Sequence, residues 1–294
     1  MQGLLLSKYY AIDIAQEDIV ASITMMVQME LGKTSPNLLR VAGQLAARFG
    51  ADVIGIAACQ PVQVVYSDGF ISADIYDKDR TEIGAEMSAA EDAFRAALTP
   101  HARSVGWRSL ITFQPLAECL ASEARSADLV ITASCQTGNA NPTRAMNIGA
   151  FVMQVGRPVL IVPVNVATLS LSHVLVAWKD TREARRAIFD ALPLLKQAER
   201  VVVVEITRAV NADESSAHLI EIVNWLKRHE IAAEAHTVVS RGDDAAQLLT
   251  IAHDRNADLL VAGAYGHGRL MEWFFGGMTR DVLFCPERCS FLSH

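Results

Sequence analysis

Aromatic side chains make up only 6% of this 294-residue chain and charged ones only 20%. A core this short of large rings has to be filled by Ala, Val, Leu and Ile, and hydrophobic residues are 51% of the sequence. That composition suits a compact α/β protein with length enough for two average domains. There is no excess of basic charge: a net charge of −7 and a pI near 5.6 leave no electrostatic footprint for nucleic acid. Long apolar runs are also missing. The longest, Ala150 to Val164, is broken by Arg157 and Pro158, so no segment is expected to span a bilayer. MQGLLLSKYY has no positive region ahead of its leucines, which argues against a signal peptide and for a cytoplasmic protein. The five cysteines (Cys59, Cys119, Cys135, Cys285, Cys289) are an odd number, mostly in apolar segments, and read as reduced thiols acting as small hydrophobes. Cys285 and Cys289 lie four apart, but no further Cys or well-spaced His completes a zinc set, so no metal site is expected.

Equally absent are the loops of two common nucleotide binders. There is no Gly-x-x-x-x-Gly-Lys-Ser/Thr, and no Gly-x-Gly-x-x-Gly early in a strand–helix unit. No carboxylate pair and no activated Ser or Cys is recognisable, which leaves no group to assign to catalysis.

What the chain does contain is an internal repeat. Ser126-Ala-Asp128 followed by Leu129-Val-Ile-Thr-Ala133 has its counterpart in Asn256-Ala-Asp258 followed by Leu259-Leu-Val-Ala-Gly263, an offset of 130 residues. At the same offset the strand-like Pro158–Pro163 falls on Arg288–Ser293, and the helical segments Leu116–Arg125 and Ala246–Arg255 also align. Duplication is therefore the first-order organisation.

Each half reads as strands alternating with helices, the pattern of a parallel sheet covered on both faces. The first half has strands near Ser22–Gln28, Asp52–Ala58, Arg108–Phe113, Leu129–Ala133 and Val159–Val162. In the second half they fall at Val174–Trp178, Val201–Ile206, Ala233–Val239, Leu259–Gly263 and Ser290–Leu292, with helices near Thr181–Gln197, Asp213–His229, Asp243–Asn256 and Thr279–Phe284. The first helix has a clear start and stop, with Ser35 as N-cap, Pro36 in the first turn and Gly50 after the end. The expected domains are 1–165, with an N-terminal extension, and 172–294. The first half also carries an insertion over 60–81, including Tyr66, Phe70 and Tyr76, as a lid or as a simple connection.

The most informative segment is Gly263-Ala-Tyr-Gly266-His-Gly-Arg-Leu-Met-Glu-Trp-Phe-Phe-Gly276-Gly277-Met-Thr279, which follows an apolar strand and precedes a helix. Glycines there let backbone N–H groups approach a phosphate, and the helix N-terminus adds partial positive charge. Gly-x-x-Gly, nine residues, then Gly resembles the phosphate loop of the universal stress protein family. The family places Ser or Thr directly after the last Gly, whereas here Gly277 follows and the hydroxyl comes at Thr279.

The resemblance covers the chain from about Ser22 as two tandem units. It implies two tandem doubly wound, five-stranded parallel-sheet domains of the adenine nucleotide alpha-hydrolase-like class. Their halves would lie as the subunits of a dimer lie, an intrachain pseudo-dimer that stands alone or goes on to form a homodimer. It also implies a stress-response role, with ATP or another adenine nucleotide as ligand and an unidentified protein as partner. Only the second half keeps the loop: Gly263, Gly266, Gly276, Gly277 and Thr279 fall on Ala133, Gln136, Met146, Asn147 and Gly149. The expected contacts are Gly263, Gly266, Gly276, Gly277 and Thr279, with His267 and Arg269 from the loop and Ala177 and Lys179 from the first strand of that half. Lys179 stands where the family's Val-Asp-Gly-Ser pattern has Asp, with Asp180 on the Gly. Three readings follow: a non-enzymatic nucleotide holder, a protein-interaction module without nucleotide, and a slow hydrolase with no identifiable catalytic group.

Overall fold

Val201-Val-Val-Val204 has no polar residue to turn toward water, and the fold buries all four valines from both sides. Each such burial contributes about 1.5–3 kcal/mol. In the computed structural model, which describes residues 23–62, 73–134, 141–264 and 287–294, these valines lie in a ten-stranded sheet, one strand in from its edge. The strands of the first half are β1 (Thr24–Met29), β2 (Asp52–Cys59), β3 (Ser104–Ile111), β4 (Leu129–Ala133) and β5 (Val159–Val162). Those of the second are β6 (His173–Ala177), β7 (Arg200–Thr207), β8 (Ala233–Val239), β9 (Leu259–Gly263) and β10 (Cys289–Ser293).

Their spatial order is β3-β2-β1-β4-β5-β10-β9-β6-β7-β8, so each half repeats the same doubly wound order and the two meet edge to edge. All pairs are parallel except β5–β10, which is antiparallel with Phe291 opposite Leu160. The two five-stranded sheets are thus one continuous sheet, joined through the last strand of each half.

Alternation along the strands divides the core into two layers. Val201 and Val203 face the layer of α1 (Pro36–Phe49), α2 (Ala73–Leu98), α5 (Arg182–Asp190), α6 (Leu192–Leu195) and α7 (Ala212–Arg228). Val202 and Val204 face the layer of α3 (Leu116–Glu123), α4 (Ile148–Val155) and α8 (Asp244–Asp254). Helix α1 starts with Pro36 and ends at Gly50, whose φ of 57° is left-handed. Ser35 holds the N-cap position, although its side chain accepts no capping bond.

The sequence repeat has a physical cause. Asp128 Oδ2 accepts from the backbone N–H of Thr24 at 2.8 Å, and Asp258 Oδ2 accepts from that of Ser172 at 2.9 Å. In both halves an aspartate before the fourth strand clamps the entry to the first.

Three sequence expectations change. Strand β3 begins at Ser104, four residues before the expected Arg108, because Asp52 gathers Ser104 Oγ (2.6 Å) and the Arg103 guanidinium and sets the register Asp52↔Ser104. Phe113 lies beyond the strand, 73% exposed. The long helix expected over Thr181–Gln197 is two helices, because Pro193 lacks a donor and its ring crowds the preceding turn. The 60–81 insertion is partly helix: α2 starts at Ala73 and runs 26 residues against 17 in α7. Residues 63–72, with Tyr66 and Phe70, lie outside the described residues, as do 1–22 and the expected helix Thr279–Phe284.

Cys59, Cys119 and Cys289 are free thiols, each with its pKa raised by burial, Cys289 to about 12. Cys135 and Cys285 are outside the described residues. No described helix is long and apolar enough to cross a membrane, and no described cluster of His, Cys, Asp and Glu could hold a metal ion.

Candidate functional site

Strand β6 sends its chain to β7 on one side, while its other neighbour β9 leads to β10 on the opposite side. Adjacent strands that lead away from each other open a crevice at their C-terminal ends, where open α/β sheets bind ligands. Ala177 ends β6 and pairs with Ala262 on β9 and Val204 on β7. Two small side chains therefore face each other at the switch point. Gly263 ends β9 beside them, and the expected phosphate loop leaves from there. Gly266, His267, Arg269, Gly276, Gly277 and Thr279 lie outside the described residues.

Gly263 has a packing role that the loop motif did not suggest. A Cβ on it would lie 2.6 Å from the backbone N of Ala184 and 2.6 Å from the carbonyl carbon of Glu183. The N-terminus of α5 comes down directly onto β9, so a glycine is required at 263 whether or not a ligand is present. That N-terminus is satisfied from within: Thr181 Oγ1 accepts from Ala184 N at 3.3 Å. Burial raises the pKa of the Glu183 carboxyl, but hydrogen bonds and charge, chiefly from Arg182, prevail and hold it below the usual range.

Lys179 and Asp180 occupy the turn between β6 and α5, and both are exposed. Thr181 N donates to Lys179 O at 2.6 Å, which closes the turn, and Asp180 pairs with Arg185 at 2.6 Å. The ammonium of Lys179 is thus at the rim of the crevice.

Under the same turn lies a pair of side chains that sequence reasoning passed over. Trp178 N donates to Val204 O at 2.8 Å, which sets Trp178 beside Glu205 on the neighbouring strand. Trp178 is 5% exposed and Glu205 8%; Trp178 Nε1 and Glu205 Oε2 are buried without a hydrogen-bond partner among the described residues. Burial pushes the Glu205 carboxyl above the usual carboxylate range, reinforced by Asp180 and opposed by His218, Lys179 and a bond from Ser215. The only signal in the sequence is an acid placed directly after four valines in β7.

A sign follows from that shift. In the unfolded chain Glu205 titrates at the ordinary carboxylate pKa, and in the folded chain above it. Stability is therefore greatest below the ordinary value, falls as pH rises through the window between the two, and stays lower above it. Glu205→Gln is expected to raise stability at neutral pH by about 1–2 kcal/mol, with the gain vanishing at acid pH. Urea midpoints at both pH values check this, and a gain independent of pH would contradict it.

The corresponding place in the first half is filled. Gln28 and Thr132, paired at the end of β1 and β4, stand where Ala177 and Ala262 stand in the second half. They are buried, and Thr132 Oγ1 donates to Gln28 Oε1 at 2.6 Å. Over the strand ends sits Arg144, 4% exposed, donating to Glu86 (2.8 Å), Asp79 (3.4 Å), the Gln60 carbonyl (3.0 Å) and Thr143 Oγ1 (3.0 Å). Met146, opposite Gly276 in the repeat, turns into the core of the α3–α4 layer. Asn147, opposite Gly277, caps α4 itself, its Oδ1 accepting from Ala150 N at 2.9 Å. The N-terminus of α4 is thus bonded internally. Gln136 is outside the described residues.

Residues 171–283 match the model of the Universal stress protein family. The whole chain is similar in fold to a universal stress protein from Archaeoglobus fulgidus DSM 4304, at 13% identity and a TM-score of 0.68, over 92% of this chain and 95% of that one. A putative universal stress protein from Pseudomonas aeruginosa UCBPP-PA14 is 12% identical with a TM-score of 0.58, over 93% of each chain. A universal stress protein solved in complex with cAMP matches 49% of this chain and 99% of its own, at 24% identity and a TM-score of 0.34. No curated protein matches in sequence.

Proposed function

We propose, from the match of residues 171–283 to the Universal stress protein family, that this chain is a stress-linked binding protein without catalytic activity whose second half holds an adenine nucleotide, ATP foremost. The observation that carries this reading is the contrast between the two switch points. One presents Ala177, Ala262 and Gly263, and the other is closed by Gln28, Thr132 and the Arg144 cluster. A sheet with equal halves has kept small residues at one crevice and filled the other with hydrogen-bonded side chains. In this reading phosphate would be held by backbone N–H groups of Gly266, Gly276 and Gly277, with a hydroxyl from Thr279 and charge from His267, Arg269 and Lys179.

Lys179 favours the second reading, a protein-interaction module, since the family carries a carboxylate at that position. Nucleotide extraction and mass spectrometry of the purified chain separate the two, together with calorimetric titration of ATP and Mg²⁺. An adenine nucleotide in the extract, or saturable heat, is the expected result. The absence of both would sink the proposal. Gly276→Val is expected to abolish binding by setting a branched side chain against the phosphates, and unchanged binding would place the site elsewhere. Release of ADP on incubation would mark a hydrolase instead of a holder.

A further inference from the structure

Away from the crevice, a groove of about 1000 Å³ runs between α1 and the C-terminal end of α2, walled on one side by Thr168-Leu-Ser170 of the segment that joins the two halves. Its polar lining is basic. Arg40 and Arg48 line it from α1 and His101 from just after α2, and no carboxylate does. In a chain of net charge −7 this is a local reversal of sign.

Both guanidinia are exposed, and neither is ion-paired with a described residue. Arg40 donates to the neutral Asn37 Oδ1 at 3.1 Å and Arg48 to the Ser170 carbonyl at 3.3 Å, so each keeps donors for a further acceptor. Between them on the same helix face, Gln44 Oε1 accepts from Leu169 N at 3.2 Å and fixes the wall. His101 is held against α1 at Gly43, where even a Cβ would come within 3.0 Å of the ring. The spaces between the cations are lined by Leu39, Ala47, Ala96 and Ala97.

We propose that this groove docks an acidic, amphipathic peptide segment of a partner protein. The eight positions from Arg40 to Arg48 are about 12 Å of helix rise, so two carboxylates eight apart on an α-helical segment match the two guanidinia. The alanines and Leu39 between them receive the apolar side chains of that segment. A nucleic acid fits less well. It offers a continuous run of phosphates to two arginines, nothing to the apolar lining, and is repelled by the acidic remainder of the chain.

The test uses the full chain and a fluorescein-labelled leucine- and alanine-rich helical peptide with glutamates eight positions apart. Beside it run the same peptide with glutamines, a second with lysines, and a single-stranded oligonucleotide of similar length. The glutamate peptide is expected to bind by fluorescence polarisation, more weakly as salt is raised, and about tenfold tighter than the glutamine peptide. Arg40→Glu with Arg48→Glu should lose the glutamate peptide and gain the lysine one, a charge reversal that a misfolded variant would not show. Should Arg48→Glu disturb the joining segment, Arg40→Glu alone keeps the test, with a loss of about threefold or more. Equal binding of glutamate and glutamine peptides, indifference to Arg40→Glu, or binding of the oligonucleotide alone would each overturn the assignment.

Discussion

A Gly263→Ala variant is expected to lose about 2–3 kcal/mol of stability, a drop of roughly 3–5 °C in melting temperature for a chain of this size. The new methyl would meet backbone on both sides, Ala184 N and the Glu183 carbonyl carbon, each at 2.6 Å. A side chain in that position could rotate away, but the first turn of α5 moves only as a unit. That turn is fixed by Thr181 at its start and by Ala184, Ala187 and Ile188 packed in the core. Differential scanning calorimetry on the nucleotide-free protein isolates the effect from any ligand. Ala133, which ends β4 as Gly263 ends β9, supplies the control: Ala133→Gly is expected to cost about 1 kcal/mol or less, with no clash involved. A Gly263→Ala protein as stable as the parent would show that α5 can withdraw from β9, and the glycine would then belong to the ligand alone.

The second large effect is expected at Arg144. Removing the guanidinium by Arg144→Met leaves Asp79 and Glu86, with side chains only 10% and 20% exposed, without their cation, and frees the Gln60 carbonyl. Losing one partner from a buried ion cluster costs about 3–5 kcal/mol, most of it the penalty of the abandoned charges. Replacing Asp79 and Glu86 with leucine in the same variant is expected to recover much of that loss, which chemical denaturation of the single and triple variants would measure. If the triple variant is no better than the single, the cluster acts by fixing geometry, holding α2, the end of β2 and the 141–147 segment together. Either way the energy of Arg144 resides in the first half, where it ties α2 to the end of β2.

Much of this fold is legible along the chain because its strands are short apolar runs with sharp ends. β4, β5 and β9 fall where the sequence places them, since burial on both faces leaves mostly apolar runs with sharp limits, and the exposed edge strand β8 falls there as well. β3 was harder. It is an edge strand whose exposed Ser104 and half-buried Val105 carry little apolar signal, and its start is set by Asp52, fifty-two positions away in the chain. Pro193 marks the break between α5 and α6, but the apolar helical stripe runs across it. The site divides in the same way. Small residues at the end of β9 are visible in the sequence, but the reason for Gly263 lies in a helix eighty positions earlier. The Trp178–Glu205 pair is invisible for a similar reason, because it exists only once β6 and β7 are side by side.

The antiparallel contact of β5 with β10 has a consequence for how the molecule responds to its surroundings. An assembly of two separate units would come apart on dilution, and its population would follow the total concentration. Here the strands that meet are tethered in one polypeptide, so their encounter is unimolecular and their effective concentration is set by chain geometry. Induction or depletion of the protein changes how many sheets there are, never how complete each one is. The same tether frees the halves from having to stay alike: each is always delivered its complement, so one could fill its crevice with Gln28, Thr132 and Arg144 while the other kept Ala177 and Ala262.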